Sequence, residues 1–200
     1  MFLLLCTYGS LAADTLQGEF TFHKKAPEAA LVYLPEDTGL SPDVEPVLDQ
    51  QEKTFIPPLV VGTKGSKVIF QNSDSVSHNI FADDKEANVK FDVGLINTGG
   101  QASQEIHWEN TVVRGSCKIH PKMRAWIASI ASRYYEVIDF EEQENSFKFT
   151  MNTFPKEYSN VAVWMNRYEK IETALKKGES KTIQIKQKDE VVGELTLSRK

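Results

Sequence analysis

Cys117, His120 and Met123 stand three residues apart in the run Cys117-Lys118-Ile119-His120-Pro121-Lys122-Met123. One short loop can therefore turn a thiolate, an imidazole and a thioether toward a common centre. His78, upstream, can close the set from a neighbouring strand. Two imidazoles, one thiolate and a weak axial thioether are the donors of a type 1 copper site. The thiolate binds copper strongly and gives an electron a path to the metal. Neutral imidazoles suit both oxidation states, and the soft Met favours the lower one. Structural zinc fits less well, because it takes four strong Cys or His donors and this set has three. Covalent c-type haem needs a Cys-x-x-Cys-His run, which the chain lacks.

Each donor also has a plainer reading. A lone His is more often a surface or core residue, and His23 and His107 read that way. Met123 could fill a core gap, and Cys117 could be an inert buried thiol. Their joint spacing favours ligation. The other cysteine, Cys6, falls in Met1-Phe2-Leu3-Leu4-Leu5-Cys6-Thr7-Tyr8-Gly9-Ser10-Leu11-Ala12-Ala13, an apolar start ending in small residues. Residues 1–13 read as an export signal cleaved near Ser10-Leu11-Ala12, which places the protein in the periplasm or otherwise outside the cytoplasm. Its removal would leave Cys117 as the one thiol. A lone thiol in an oxidising compartment is protected by burial or by a metal.

The segments that must position these residues read as strands. Leu16, Gly18, Phe20 and Phe22 alternate with polar residues, and Ala29 to Leu34 is a more buried run ending at Pro35. Glu36 to Pro46, with its prolines and acids, reads as a linker. Val60-Val61, Lys67 to Phe70, the segment opening at His78, Thr111 to Val113, and Arg124 to Ala131 are further strands. Residues 83–103 read as a long polar excursion with short pieces of strand at most. After Arg133, Phe147/Phe149/Met151, Val161/Val163/Met165, Ile183/Ile185 and Leu195/Leu197 alternate, while Ile171 and Leu175 allow one short helix within 169–177. Many short strands with Gly and Pro turns point to an all-β fold.

Cys-x-x-His-x-x-Met beside a strand, with His78-Asn79 upstream, resembles the cupredoxins, and the two-residue gap before Met123 is similar to an amicyanin-type ligand loop. Asp49-Gln50, Phe55-Ile56-Pro57, Gly65 to Asp74 and His78-Asn79-Ile80-Phe81 are similar to the cupredoxin-like proteins of the methylamine-utilisation type. The likeness covers roughly residues 45 to 132 and implies a Greek-key β-sandwich. It also implies one copper held by His78, Cys117, His120 and Met123, with Asn79 bonding across to Ser116 to lock the two ligand segments. His120 would be the ligand whose ring edge reaches the surface and passes electrons. Separately, Tyr134 to Asp139 and the strands that follow resemble a transthyretin-like, carboxypeptidase-regulatory sandwich. Residues 14–44 would then supply strands and a linker, 45–132 the copper domain, and 133–200 the remainder of an accessory sandwich built from both termini. The alternative is a separate C-terminal domain, with the N-terminal strands packed on the copper domain.

Function follows the ligand set. The chain reads as an electron carrier rather than an enzyme, because oxidases and nitrite reductases need further His clusters and only His23 and His107 remain. A copper carrier or stress-resistance protein using the same ligands is the second reading, but only 4 Met and 4 His are present, with no run rich in either. A third makes the terminal sandwich the working part and the copper domain its redox sensor. The net charge of −5 argues against nucleic-acid binding, and no stretch reaches the roughly 20 apolar residues of a membrane helix. Arg114, Lys118, Lys122 and Arg124 surround the ligand loop with no acid between 110 and 135, which suggests a basic rim that steers an acidic redox partner to His120.

Overall fold

A computed structural model describes residues 13–41, 43–140 and 145–200. The expected export signal lies outside these residues except for Ala13. The strands are β1 (Asp14–Phe22), β2 (Ala29–Tyr33), β3 (Val47–Gln51), β4 (Thr54–Ile56), β5 (Leu59–Gly62) and β6 (Lys67–Gln71). There follow β7 (His78–Asp84), β8 (Val89–Ile96), β9 (Gln101–Glu105), β10 (Thr111–Ser116), β11 (Arg124–Ser129) and β12 (Tyr135–Asp139). The last five are β13 (Ser146–Phe154), β14 (Asn160–Met165), β15 (Ile171–Ala174), β16 (Ser180–Gln187) and β17 (Glu190–Arg199). The fold is all-β, with no helix among the described residues.

These strands form four sheets, ordered β13-β1-β17-β16, β12-β2-β14-β15, β5-β11-β10-β7-β8 and β4-β3-β6-β9. Strands β1 and β2 thus pair only with strands from the C-terminal third, and β3 to β11 pair among themselves. The helix expected within 169–177 is instead β15. Ile171 and Leu175 are four apart, but Ile171 pairs with Val163 of β14 and is buried there, so tertiary pairing decides. The expected polar excursion over 83–103 is likewise a long hairpin with β8, followed by β9, because Val89, Phe91 and Val93 alternate with outward polar residues.

Three apolar clusters lie between the sheets. One joins Leu16, Phe20 and Phe22 of β1 and Leu195 and Leu197 of β17 to Ala30 and Val32 of β2 and Val161 and Val163 of β14. A second, inside the β3–β11 unit, holds Phe70, Phe91, Trp108, Ile127, Cys117 and Met123. The third lies between the two units, where Leu31 and Tyr33 of β2 meet Leu59 and Val61 of β5 and Ala128 of β11. Strand β2 is therefore buried on both faces, Ala30 and Val32 toward one core and Leu31 and Tyr33 toward the other. Such a strand reads as a continuous apolar run rather than an alternation, as Ala29-Ala30-Leu31-Val32-Tyr33 does.

At the crossing between the units, Asp37 and Arg133 form a staple. The Arg133 amide donates to Asp37 Oδ2 at 2.6 Å and its guanidinium to Oδ1 at 2.7 Å. Leu40 and Ala131 bond main chain to main chain beside it, at 2.8 Å.

Candidate metal centre

Antiparallel pairing of β10 with β7, Ser116 opposite Phe81, brings the end of one strand to the start of the other. Gly115 helps the two strands close, since a Cβ there would meet Ile80 Cδ1 of β7 at 2.8 Å. Cys117 follows β10, Arg124 opens β11, and the six residues between them form a tight loop. The Met123 amide donates to the His120 carbonyl at 2.9 Å, and the Cys117 amide to the Met123 carbonyl at 3.3 Å.

This geometry brings His78, Cys117 and His120 together, with one donor atom from each lying within 4.8 Å of the others. The Nδ1 atoms of the two histidines face each other at 3.0 Å. Donors about 2.0 Å from a shared metal ion and about 100° apart would sit about 3.1 Å from each other, so the spacing suits a single ion. The His120 amide donates to Cys117 Sγ at 3.4 Å, a bond that stabilises a thiolate. His78 and Cys117 are buried and His120 is half-buried. Met123 is buried in the same apolar cluster as Cys117.

His78 is held from behind by Asp74, whose Oδ2 lies 2.9 Å from Nε2. Asp74 also accepts the Lys53 amide at 2.6 Å. That amide is aimed by a tight hairpin turn, in which Glu52 and Lys53 take left-handed φ of 48° and 58°. The Lys53 amide and the His78 ring hold the Asp74 carboxyl well below the usual carboxylate range. An ionised Asp74 requires the proton of a neutral His78 ring on Nε2 and leaves Nδ1 bare toward His120. Sequence reasoning includes Asp74 only in the Gly65-to-Asp74 stretch and assigns it no role. The Asn72-Ser73-Asp74 turn, with the Asp74 amide donating to Asn72 Oδ1 at 3.0 Å, is the local signal that could have marked it.

Asn79 joins the segment after β10 at Lys118 rather than at Ser116, where the resemblance places its bond. Its Oδ1 accepts the Lys118 amide at 2.8 Å and lies 3.5 Å from Cys117 Sγ. Ser116 itself is paired with Phe81 and Arg124 in the sheet, and the residue that meets Asn79 is two places further along. Asn79 Nδ2 in turn donates to Asp92 Oδ1 at 3.3 Å, and Asp92 Oδ2 is ion-paired with Lys118 Nζ. Asn79, Asp92 and Lys118 therefore close a ring around the foot of the loop, and the Lys118 ion pair also holds the Asp92 carboxyl low.

The expected basic rim is altered by acids that are distant in sequence. Lys118 is neutralised by Asp92 and Arg124 by Glu28. Arg114 opens into a groove of about 460 Å³ shared with Asp83, Asp84 and Glu86. His107 stacks edge-on against Trp108, outside the cluster.

No family model matches the chain, and no curated protein does. Solved structures do. A purple cupredoxin from Nitrosopumilus maritimus matches at 21% identity and TM-score 0.38, over 43% of this chain and 99% of that one. A reduced, Cu(I) form of an amicyanin mutant matches at 16% identity and TM-score 0.39, over 50% of this chain and 97% of that one. The copper-containing nitrite reductase from Thermus scotoductus matches at 18% identity and TM-score 0.39, over 42% of this chain, which spans 22% of that protein's length.

Proposed function

We propose that this chain is an exported single-electron carrier whose one copper ion is held by His78, Cys117, His120 and Met123. The observation that carries the reading is the pair of opposed Nδ1 atoms, 3.0 Å apart, beside a buried Cys117. When bound, copper in such a set cycles between Cu(I) and Cu(II) with little rearrangement of its donors. The chain's own part is to fix those donors. Asp74 orients His78, Asn79 pins the loop through Lys118, and the half-buried His120 gives the site its route to the surface.

His23 and His107 are exposed and stand outside the cluster. A partner would meet the end of the molecule that carries His120. Ile119 beside it is 50% exposed, Leu95, paired with Asn79, is 61% exposed, and Val76 is 36% exposed, so apolar contact is available there. Lys122 and Arg114, without an ion pair among the described residues, are the cations left for an acidic partner. We read residues 45–132 as the copper unit and residues 14–44 with 133–200 as the accessory sandwich around it.

The test is the visible spectrum of the purified protein after addition of Cu(II) and a mild oxidant. An intense thiolate-to-copper charge-transfer band is expected, and Cys117→Ser should abolish it. A colourless protein that binds Cu(I) tightly would favour a copper carrier instead. Absence of copper binding in both oxidation states would defeat both readings.

A further inference from the structure

Strand β11 has two working faces. Ala125 and Ile127, following Met123, point into the cluster that holds Cys117. Arg124, Trp126, Ala128 and, just beyond the strand, Ile130 point the other way, toward the unit built from the termini. There Trp126 meets Trp164 of β14 edge-on at 5.4 Å, while Ala128 and Ile130 pack with Leu31. The first contact of this series lies next to the ligand loop. Arg124 directly follows Met123 and stands opposite Ser116, which precedes Cys117. Its guanidinium gives both Nε and Nη2 to a single oxygen, Oε1 of Glu28.

Glu28 belongs to the terminal unit and is firmly placed. Its amide donates to Asn166 Oδ1 at 2.8 Å, and the neighbouring Ala29 amide donates to the same atom at 3.1 Å. The Glu28 carbonyl accepts the Phe140 amide at 3.2 Å, and Arg167 Nη2 lies 3.8 Å from Oε1. The carboxylate is thus fixed by its own unit and reaches across to the residue at the foot of the loop.

We infer that Glu28 is a positioning residue, through which the terminal sandwich holds Arg124, and with it Met123 and the closing turn of the ligand loop, in place. The inference rests on the copper reading for its redox consequence but not for its structural one. Arg124 and Glu28 keep 43% and 28% of their side-chain surface exposed. A pair so exposed adds little to global stability. Its effect is local, on the loop and on the charge beside it. With Glu28 in place the Arg124 cation is compensated, and without it an extra positive charge stands beside the site and favours the reduced ion.

Glu28→Gln tests this in two states of the full chain. In the metal-free protein, hydrogen exchange at the Met123 and Cys117 amides, which close the loop, should quicken about two- to fivefold, the scale of an exposed ion pair, while exchange in β14 and β17 stays unchanged. In the copper-loaded protein the midpoint potential should rise, and Glu28→Asp, which keeps the charge on a shorter arm, should recover part of the shift. Unchanged exchange at both loop amides would overturn the inference even if copper binds as proposed. So would faster exchange spread evenly over the whole molecule, the signature of a merely structural role. A wild-type protein that binds no copper would defeat the proposed function alone and leave the exchange result to decide this one.

Discussion

Asp74 Oδ2 lies 2.9 Å from Nε2 of His78, both side chains are buried, and the contact fixes which ring nitrogen faces His120. A carboxylate behind a ligating imidazole orients the ring and raises its basicity, and its loss from a metal site costs 10–100-fold in affinity as a rule. Asp74→Asn should therefore weaken copper binding by about 10–100-fold, measured by competition with a chelator. Affinity equal to wild type would mean that the main chain alone orients His78.

Asp92 acts from the opposite side of the loop. Asp92→Asn keeps a partner for Asn79 but gives up the ion pair with Lys118. Lys118 is exposed, so the change should lower the melting temperature only slightly, by the under 1 kcal/mol typical of such pairs. The copper spectrum should change more visibly, because Lys118, whose amide is bonded to Asn79 Oδ1 at the foot of the loop, loses the anchor of its side chain. A large loss of stability with an unaltered spectrum would contradict this division.

The interface between the units is a packing matter. Leu31 is fully buried, and its side chain faces Leu59, Val61 and Ala128 across two sheets. Leu31→Ala should destabilise the protein by about 2–5 kcal/mol, the range for a buried Leu whose cavity cannot collapse. Denaturant unfolding measures it, and a cost below 1 kcal/mol would show that the two sheets readjust.

Acid should loosen the crossing between the units. Burial alone would raise the Asp37 carboxyl, but Arg133 donors, with Tyr158 Oη at 3.2 Å, outweigh it and leave the group below its ordinary 3.8. A carboxyl depressed in the folded state contributes stability that is present above its unfolded value and lost as pH falls through the folded one. Wild-type stability should thus decline as pH drops below about 4. Asp37→Asn should be less stable at neutral pH and show a shallower decline over that window. Parallel curves for the two proteins would remove Asp37 from the account.

The closeness of Cys117 and His120 was legible in the sequence because they lie three residues apart and local geometry alone can gather them. His78 was legible through the His78-Asn79 pair. Most of the groups around them were not, since Asp92, Lys53 and Glu28 arrive only through strand pairing that no local pattern encodes, whereas Asp74, four residues before His78, carried a local turn signal. The same limit explains Ile171 and Leu175, whose spacing suits a helix until β14 supplies a partner. It also explains the rim. Lys118 and Arg124 look like free cations along the chain, and their acids come from β8 and from Glu28, 96 residues before Arg124 in sequence. In residues 83–103 the signal was present, with Val89, Phe91 and Val93 alternating, but Gly94, Gly99 and Gly100 that follow masked it.

Strands β2 and β11, each with side chains committed to a core on either face, leave the two sandwiches no boundary at which one could come apart alone. Opening either unit would expose Leu31, Tyr33, Ala128 and Trp126 to water at once. Heat should therefore melt the two together, and a calorimeter should record one cooperative transition.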